Sequence, residues 1–203
     1  MNHPSKEKTL VIVKPDGVQR SLIGEIIKRY ERSGLKLIGL KMVMPTEEMA
    51  TRHYYEVGGD EWLESVGEKA RASYEKKGLK SPYKTNMDNG QAVLKANAKY
   101  LSSGPVVAMV WQGNQAVALV RKITGGTEPL TSDVGTIRGD LTLDSYAIAD
   151  IDQRSVRNLI HASGDVDEAT KEIDIWFKKD ELLQYNHLIE KILYDVNLDG
   201  IKE

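Results

Sequence analysis

The sequence predicts an α/β sandwich in which helices pack on a mainly antiparallel sheet. Short apolar or alternating runs, typical of strands, occur between segments with helical periodicity, and short turns join them. The chain has 203 residues, of which 40% are hydrophobic and 29% charged, as is usual for a soluble globular protein. This length suffices for one domain with a substantial core, or at most two small ones.

The first half of the chain contains two predicted strands and two predicted helices. Residues 10–13 are an apolar, β-branched run that ends at a turn sequence, which predicts a buried strand. Residues 35–44 alternate apolar and polar side chains and predict a second strand. The helix between them is indicated by apolar residues at helical spacing, namely Ile23, Ile26, Ile27 and Tyr30. After the second strand, Thr46 is a candidate cap for another helix.

Residues 57–92 differ from the rest of the chain in composition. They are rich in Lys, Glu and Gly, and their apolar residues show only weak periodicity. Because the segment is too polar to form a core of its own, we interpret it as one helix and a surface excursion.

The second half begins with a strand, a helix and a long loop. Residues 106–111 are continuously apolar and predict a buried strand, and a helix is expected from residue 115 to about residue 123. Residues 124–136 are expected to form a loop. A further short strand is predicted over residues 156–160, so that it ends at His161.

The C-terminal part of the chain is predicted to be helical. Asp165 and Glu168 have the spacing of a capping box, which marks the start of a helix. The residues that this helix is expected to bury are Val166, Ala169, Ile173 and Trp176. A last amphipathic helix is expected to continue to about residue 194.

The composition and the missing motifs exclude several kinds of site. The chain has no cysteine, so disulfides, cysteine-based zinc sites and thiol nucleophiles are excluded. It has neither a P-loop motif nor a glycine-rich dinucleotide fingerprint after a strand. The formal net charge of −2 does not favour nucleic acid as the main partner. If the protein binds phosphate, side-chain cations must do so.

Candidate cations lie beside turns and glycines. Lys14 follows the first strand, Arg121 lies near the end of a predicted helix, and Arg138 lies between two glycines. Thr127 offers a hydroxyl in the loop between the two arginines. The planar fork of arginine suits phosphate oxygens, whereas lysine acts as a compact charge. Each residue alone is more often a solvated surface group, so the hypothesis depends on their acting together.

His161 is the candidate nucleophile among the four histidines. It is expected at the end of a strand and precedes small residues, a setting in which an imidazole can be both exposed and rigidly held. Glu172, eleven residues later, could accept a hydrogen bond from one ring nitrogen and leave the other free to attack. From spacing alone, a polar strand end and a solvated helix carboxylate remain the commoner interpretations.

Five segments taken together carry a resemblance to a known family. They are KPDGVQR at 14–20, SGPVVAMVW at 103–111, GTIRGD at 135–140, RNLIHAS at 157–163 and EIDIWF at 172–177. In this order they closely resemble nucleoside diphosphate kinase, and the resemblance covers nearly the whole chain. It implies a single domain over residues 1–203 with a ferredoxin-like βαββαβ antiparallel sheet. It also implies transfer of the γ-phosphate of ATP to nucleoside diphosphates through a phosphohistidine at His161.

The resemblance also implies roles for individual residues. The nucleotide-binding residues would be Lys14, Tyr54, Arg121, Thr127, Arg138 and Asn158. Of these, Lys14 and Asn158 would contact ribose hydroxyls and phosphate oxygens, and Tyr54 would lie close to the transferred group. Glu172 would orient His161, and Ser163 would support Glu172 or the phosphorylated state. Mg²⁺ would be bound by the phosphates of the nucleotide, so no protein metal site is expected.

The sequence departs from the family pattern at several places. Gly164 stands where an aspartate usually follows the serine, and Asp165 is expected to take over as helix cap. The family stacks the base on a phenylalanine, and ungapped counting places Val93 there, with Tyr83 as a possible substitute. We expect insertions at about 57–92 and 141–155 to reshape the rim of the cleft or the subunit contacts. We also expect a C-terminal helical extension over about 180–203.

The remaining expectations concern partners and location. The resemblance implies a homo-oligomer, a hexamer or a tetramer built from dimers. Because the chain shows no signal peptide and no apolar stretch long enough to cross a bilayer, we expect it in the cytoplasm, with no membrane partner. Two alternatives to the kinase stay open: a non-catalytic protein that senses nucleotides or acts as a scaffold, and a nucleic-acid-binding protein.

Overall fold

In the computed structural model, which describes residues 3–76, 78 and 80–199, the chain forms a four-stranded antiparallel sheet between two layers of helices. The strands are β1 (Glu7–Val13), β2 (Lys36–Val43), β3 (Val106–Gly113) and β4 (Ile160–Ala162). Their order in the sheet is β2-β3-β1-β4, and every neighbouring pair is antiparallel.

The described residues also contain nine α-helices. They are α1 (Pro15–Gln19), α2 (Ile23–Glu31), α3 (Glu47–Lys76), α4 (Asn86–Leu101), α5 (Ala116–Thr124), α6 (Ile137–Leu141), α7 (Tyr146–Ile151), α8 (Val166–Trp176) and α9 (Glu190–Leu193). Helix α3 is kinked at Gly59, whose φ of 59° is not helical. Helices α2 and α5 connect the strands in the order β1-α2-β2-β3-α5-β4. This order and the sheet confirm the predicted ferredoxin-like βαββαβ fold.

The central strands β1 and β3 are buried on both faces. Side chains of a strand alternate between faces, so Val11 and Val13 belong to one core cluster, and Leu10 and Ile12 belong to the other. The first cluster lies under α2 and α5, and the second lies under α3, α4 and α8. The apolar runs of the sequence are continuous because helices cover both faces of the sheet.

The prediction of a strand over residues 156–160 is wrong in its bounds. The fourth strand is β4, with His161 at its centre and paired with Ile12 of β1. The preceding Leu159 has a φ of 65°, a left-handed conformation that a strand does not allow. This turn leaves residues 156–159 outside the sheet, as part of the wall beside the nucleophile candidate.

The interpretation of residues 57–92 as one helix and a surface excursion is also wrong. Residues 57–76 and 86–92 of the segment belong to two helices, α3 and α4, which pack against each other. Their contact is made by glycines: a Cβ on Gly67 would lie 1.8 Å from the carbonyl oxygen of Asn86, and one on Gly90 would lie 2.1 Å from that of Leu63. Because the helices touch through backbone atoms at these glycines, this contact does not require apolar side chains at helical spacing, and the sequence shows only weak periodicity of this kind.

The C-terminal predictions are confirmed for one helix and wrong for the other. Helix α8 begins after Asp165 as predicted and buries the expected residues except Val166, which is 49% exposed. The last helix is only the short α9, and most of residues 177–189 run in extended or turn conformation. Residues 200–203 of the predicted C-terminal extension lie outside the described residues.

We searched the described part of the chain for membrane-spanning helices. None of its helices combines the length and the apolar character that a crossing of the bilayer requires.

Candidate active site

A single cavity of about 600 Å³ brings together nearly all the residues that the sequence singled out. It lies where β1 and β4 end and is closed on its other sides by α3, α4, α5 and α7. The predicted site residues that line it are Lys14, Tyr54, Arg121, Thr127, Arg138, Asn158, His161 and Glu172. Ser163 is not among the lining residues and lies behind Glu172.

Lys14 and Asn158 form one wall of the cavity. Lys14 directly follows β1, and its Nζ donates a hydrogen bond of 2.8 Å to Oδ1 of Asn158. Both side chains are buried. Burial and, to a smaller extent, the nearby Arg138 together lower the pKa of Lys14 to about 7, whereas Asp16 opposes the shift. An anionic ligand would therefore meet a lysine that gains charge readily on binding.

Arg138 joins the loop before it to the start of β4. It lies on α6, whose first turn is capped by the Thr136 hydroxyl. Its guanidinium donates hydrogen bonds to four backbone carbonyls, those of Gly125, Gly126, Asn158 and Ile160. Burial lowers the pKa of Arg138 to about 10, so the group stays cationic near neutral pH.

Arg121, Thr127 and Tyr54 complete the cavity wall. Arg121 is exposed in the last turn of α5, and Thr127 is exposed in the loop that follows. Tyr54 lies on α3, and burial raises the pKa of its hydroxyl, which therefore remains a proton donor at neutral pH. Three cations and two hydroxyls thus line the same space as His161.

His161, Glu172 and Ser163 form a hydrogen-bonded chain behind the cavity. The His161 ring lies 2.7 Å from Glu172, measured from Nε2 to Oε1, and the Ser163 hydroxyl donates a 2.6 Å hydrogen bond to Oε2 of the same carboxylate. Burial acts to raise the pKa of Glu172, but His161 and the hydrogen bonds it receives hold that pKa below its usual value. An ionised Glu172 can only accept, so the Nε2–H of His161 donates its hydrogen bond to the carboxylate, and the available lone pair of the neutral ring is on Nδ1.

A histidine with a free ring nitrogen, oriented by a carboxylate and surrounded by cations, is suited to accept a phosphoryl group. The model of the family described as "Nucleoside diphosphate kinase" matches the chain over residues 7–73 and 70–182. The chain belongs to the nucleoside diphosphate kinase family. It is therefore an enzyme that transfers phosphate between nucleotides.

Individual relatives agree with this assignment. A nucleoside diphosphate kinase of Pyrobaculum aerophilum is 44% identical over 182 residues, which are 88% of this chain and 98% of the relative. A crystal structure of an NDP kinase from the same organism matches with a TM-score of 0.85 and 42% identity, over 88% of this chain and 100% of that one. A Borrelia burgdorferi enzyme, solved with vanadate and ADP as a transition state mimic, matches with a TM-score of 0.74 and 34% identity, over 93% and 96% of the two chains.

Behind Lys14, this nucleoside diphosphate kinase has two supporting residues that the sequence analysis missed. The Tyr100 hydroxyl donates a 2.6 Å hydrogen bond to Asp16, and the Tyr100 ring lies 5.0 Å from the Lys14 ammonium. The other oxygen of Asp16 accepts from the backbone N–H of Leu159, 3.2 Å away. These contacts connect the start of α1 to the left-handed residue that precedes β4.

His53 is a further residue of the site that the sequence analysis passed over. It is 1% exposed, and its ring centroid lies 4.4 Å from that of His161 at an interplanar angle of 85°. Its Nδ1 accepts a hydrogen bond of 3.2 Å from the indole N–H of Trp176. The only sequence signal was its position next to Tyr54.

Trp62 is the large aromatic side chain on the α3–α4 side of the cavity. It lies parallel to Tyr54, with ring centroids 5.9 Å apart and an interplanar angle of 18°. Val93 also lines the cavity, as expected of the position where the family has its phenylalanine. Tyr83, the expected substitute, is 47% exposed and is not among the lining residues of the described chain.

The segment 141–155 forms part of the cavity wall. Helix α7 contributes Tyr146, Ala149 and Asp150 to the lining. The loop after α7 is held by Asp144, which accepts two hydrogen bonds of 2.6 and 3.0 Å from the guanidinium of Arg154. Residues of both segments, 57–92 and 141–155, therefore lie at the cleft.

Gly164 has a structural role of its own at the turn after Ser163. Its N–H donates to Glu168, and a Cβ at this position would lie 2.3 Å from Oε2 of that carboxylate. Asp165 caps α8 by accepting from the Glu168 N–H, as predicted. The predicted capping box is only half formed, because the Glu168 side chain bonds Gly164 and not Asp165.

Proposed function

We propose that His161 is the residue phosphorylated in the transfer reaction, in two half-reactions of a ping-pong cycle. In the first, Nδ1 attacks the γ-phosphorus of a nucleoside triphosphate such as ATP, the bond from that phosphorus to the bridging oxygen breaks, and the diphosphate leaves. In the second, a terminal oxygen of another nucleoside diphosphate attacks the phosphohistidine and restores the free ring. The reaction converts ATP and a diphosphate into ADP and another triphosphate, which supplies GTP, CTP, UTP and deoxynucleoside triphosphates.

The observation that carries this proposal is the 2.7 Å contact between His161 Nε2 and Glu172 at the edge of the cation-lined cavity. The carboxylate keeps the proton on Nε2 and stabilises the positive charge that the ring acquires as Nδ1 bonds to phosphorus. Ser163 holds the second oxygen of that carboxylate, so its orientation is fixed from both ends.

We assign the remaining cavity residues to the nucleotide. Arg121, Arg138 and Thr127 would hold the phosphates and neutralise the charge that spreads over the transferred group. Lys14 and Asn158 would bind phosphate oxygens and ribose hydroxyls. The Tyr54 hydroxyl would donate a hydrogen bond close to the transferred group.

We propose that the nucleotide base stacks on Trp62, and not on Tyr83 as the sequence suggested. Trp62 offers a broad aromatic face in the cavity, whereas Val93 has none and Tyr83 lies elsewhere. Stacking on a tryptophan tolerates every base because each base has a π face. Such a contact suits an enzyme that accepts several nucleotides.

Mg²⁺ fits this site as a companion of the nucleotide. It prefers oxygen ligands and usually keeps several waters and substrate phosphates. Three carboxylates are among the described lining residues. That of Glu172 is engaged by His161 and Ser163, that of Glu168 by Gly164, and that of Asp150 accepts a hydrogen bond from the Ser73 hydroxyl. We therefore propose that the phosphates hold the ion, which neutralises charge on them.

We further propose that the chain is a single domain that acts in the cytoplasm as a homo-oligomer, a hexamer or a tetramer built from dimers. Support for association comes from β2, which lies at the edge of the sheet. It exposes the apolar residues Leu40 and Met42, and Met44, just after its end, is exposed as well. Analytical ultracentrifugation at micromolar concentration tests the assembly, and a monomer would contradict it.

The nucleophile is tested by phosphate labelling. The purified protein is incubated with γ-labelled ATP and Mg²⁺, and we expect acid-labile label on the chain that passes to added GDP. His161→Asn should remove both signals while circular dichroism shows an unchanged fold. Label that persists in this variant would refute the assignment of His161, and a wild-type protein that binds ADP without acquiring label would favour the non-catalytic alternative.

A further inference from the structure

His53 is buried beside the nucleophile without a part in the mechanism described so far. It lies on α3 in edge-to-face contact with His161, and its ring centroid is 5.8 Å from that of Trp176. A positive charge on a fully buried histidine next to another histidine would cost free energy, so the protonation state of His53 matters.

Trp176 determines which nitrogen of His53 carries the proton. An indole N–H can only donate, so Nδ1 of His53 must accept, and the proton of the neutral ring is on Nε2. Burial lowers the pKa of His53 to about 3, and the neighbouring His161 and Lys14 act in the same direction, opposed by Glu172. The ring is therefore neutral, in one tautomer, throughout the physiological range.

The Nε2–H of His53 lies near the carboxylate that orients the nucleophile. Nε2 lies 3.9 Å from Oε1 of Glu172, the same oxygen that contacts His161. Within the described residues this buried nitrogen has no hydrogen-bond partner. A buried N–H dipole at this distance favours the ionised carboxylate, and a small movement of either group would complete a hydrogen bond.

We propose that His53 is a positioning residue for phosphoryl transfer, whose neutral, Nε2-protonated ring holds the Glu172 carboxylate and the His161 ring in the orientation for attack. This inference rests on the proposed role of His161. The neutral state is essential, because a cationic His53 would compete with the phosphorylated ring for Glu172. It would also place two positive rings 4.4 Å apart.

The same geometry distinguishes this role from a metal site. His53, His161 and Glu172 offer ligand atoms within 4.8 Å of one another, as a metal-binding triad does. A metal on Nε2 of His53 would require the proton on Nδ1, where it would face the indole N–H of Trp176. Two N–H donors that face each other in a buried space are unfavourable. The Trp176 contact therefore favours a proton, and not a metal ion, on Nε2 of His53.

The test compares two replacements of His53. His53→Phe keeps the ring volume but removes the N–H, and His53→Gln can place an amide N–H near the position of Nε2. By the usual effect of removing a partner behind a functional residue, we expect His53→Phe to slow phosphoenzyme formation by roughly tenfold or more, with ADP affinity unchanged. His53→Gln should recover at least part of the rate. Ile26→Ala, which truncates a buried side chain on the other face of the sheet, is the control for lost stability.

Nuclear magnetic resonance of ¹⁵N-labelled histidine supplies a readout that a purely structural role would not change. We expect the wild-type protein to show His53 as the neutral Nε2–H tautomer across the accessible pH range. In Trp176→Phe, which keeps every catalytic side chain, both tautomers should appear and phosphorylation should slow.

Two results would overturn the inference: a wild-type rate of label uptake in His53→Phe, or a His53 signal that is protonated or Nδ1–H at neutral pH. If His53→Phe does not fold, the label uptake and the resonance spectra of His53→Gln and Trp176→Phe test the inference instead. A wild-type protein that takes up no label would instead refute the proposed role of His161, while the tautomer measurement would still report on His53.

Discussion

Nucleotide binding should draw a proton onto Lys14, because the free enzyme holds this lysine partly neutral. With a pKa of about 7, Lys14 is charged in about half of the molecules at pH 7 and in about a tenth at pH 8. A bound phosphate favours the charged form and returns the pKa toward its usual value. Binding of ADP should therefore take up about 0.5 proton at pH 7 and about 0.9 proton at pH 8.

Isothermal titration calorimetry measures this uptake. ADP is titrated into the protein at pH 8 in buffers with different ionisation enthalpies, and the slope of the observed enthalpy against the buffer enthalpy gives the number of protons. The matched control is Lys14→Arg, since arginine stays charged and should take up almost no proton. The affinity of the wild-type protein should also fall as the pH rises above 7, by up to about tenfold per pH unit.

The lowered pKa of Lys14 also predicts how the free energy of unfolding changes with pH. The pKa of Lys14 is about 7 in the folded chain, against the ordinary value of 10.5 expected in the unfolded chain. Between these values the unfolded chain binds more protons, so this group makes the free energy of unfolding rise with pH. Lys14→Met should therefore melt above the wild-type protein at pH 6, and the difference should narrow toward pH 9.

Two observations would refute the reasoning about Lys14. One is a proton uptake at pH 8 that is the same in the wild-type protein and in Lys14→Arg. The other is a difference in melting temperature between Lys14→Met and wild type that does not change with pH.

Three further changes test other parts of the site. Glu172→Gln removes the charge that stabilises the phosphorylated His161 ring, so rapid-quench labelling should show a rate roughly 100-fold lower at unchanged ADP affinity; a rate near wild type would contradict this. The lysine in Arg138→Lys cannot donate hydrogen bonds to all four carbonyls, so urea unfolding should show a free energy of unfolding lower by about 2–4 kcal/mol. An unchanged unfolding midpoint would contradict a stabilising role for these hydrogen bonds. Trp62→Ala should raise KM for GDP by roughly tenfold at constant kcat, whereas Trp62→Phe should stay close to wild type; equal values in both variants would exclude stacking.

The sequence predicted most of the sheet and the helices that pack on it with apolar faces. The runs at residues 10–13 and 106–111 are strands, because burial on both faces requires continuous apolar residues. Helix α8 follows its cap at Asp165 as expected. These elements could be predicted because their stability depends on side chains whose spacing is visible along the chain.

The pairing of α3 with α4 could not be predicted in this way. Gly67 and Gly90 allow the two backbones to touch, and a polar, glycine-containing segment is indistinguishable from a loop in a single sequence. Since Trp62 reaches the cavity through this pair of helices, the proposed base contact was missed together with them.

For the site, the conjunction of motifs identified the family and added Tyr54, Asn158 and Ser163 to the six candidates that the residues themselves had already indicated. It did so because the chemistry requires particular side chains close to particular backbone turns, which short stretches of sequence record. Tertiary structure alone decided the relations between distant residues: Lys14 contacts Asn158 across 144 positions, and Trp176 reaches His53 across 123. The pKa of a lysine and the tautomer of a histidine depend on burial and on one neighbour a few ångströms away, and neither quantity is encoded locally in the chain.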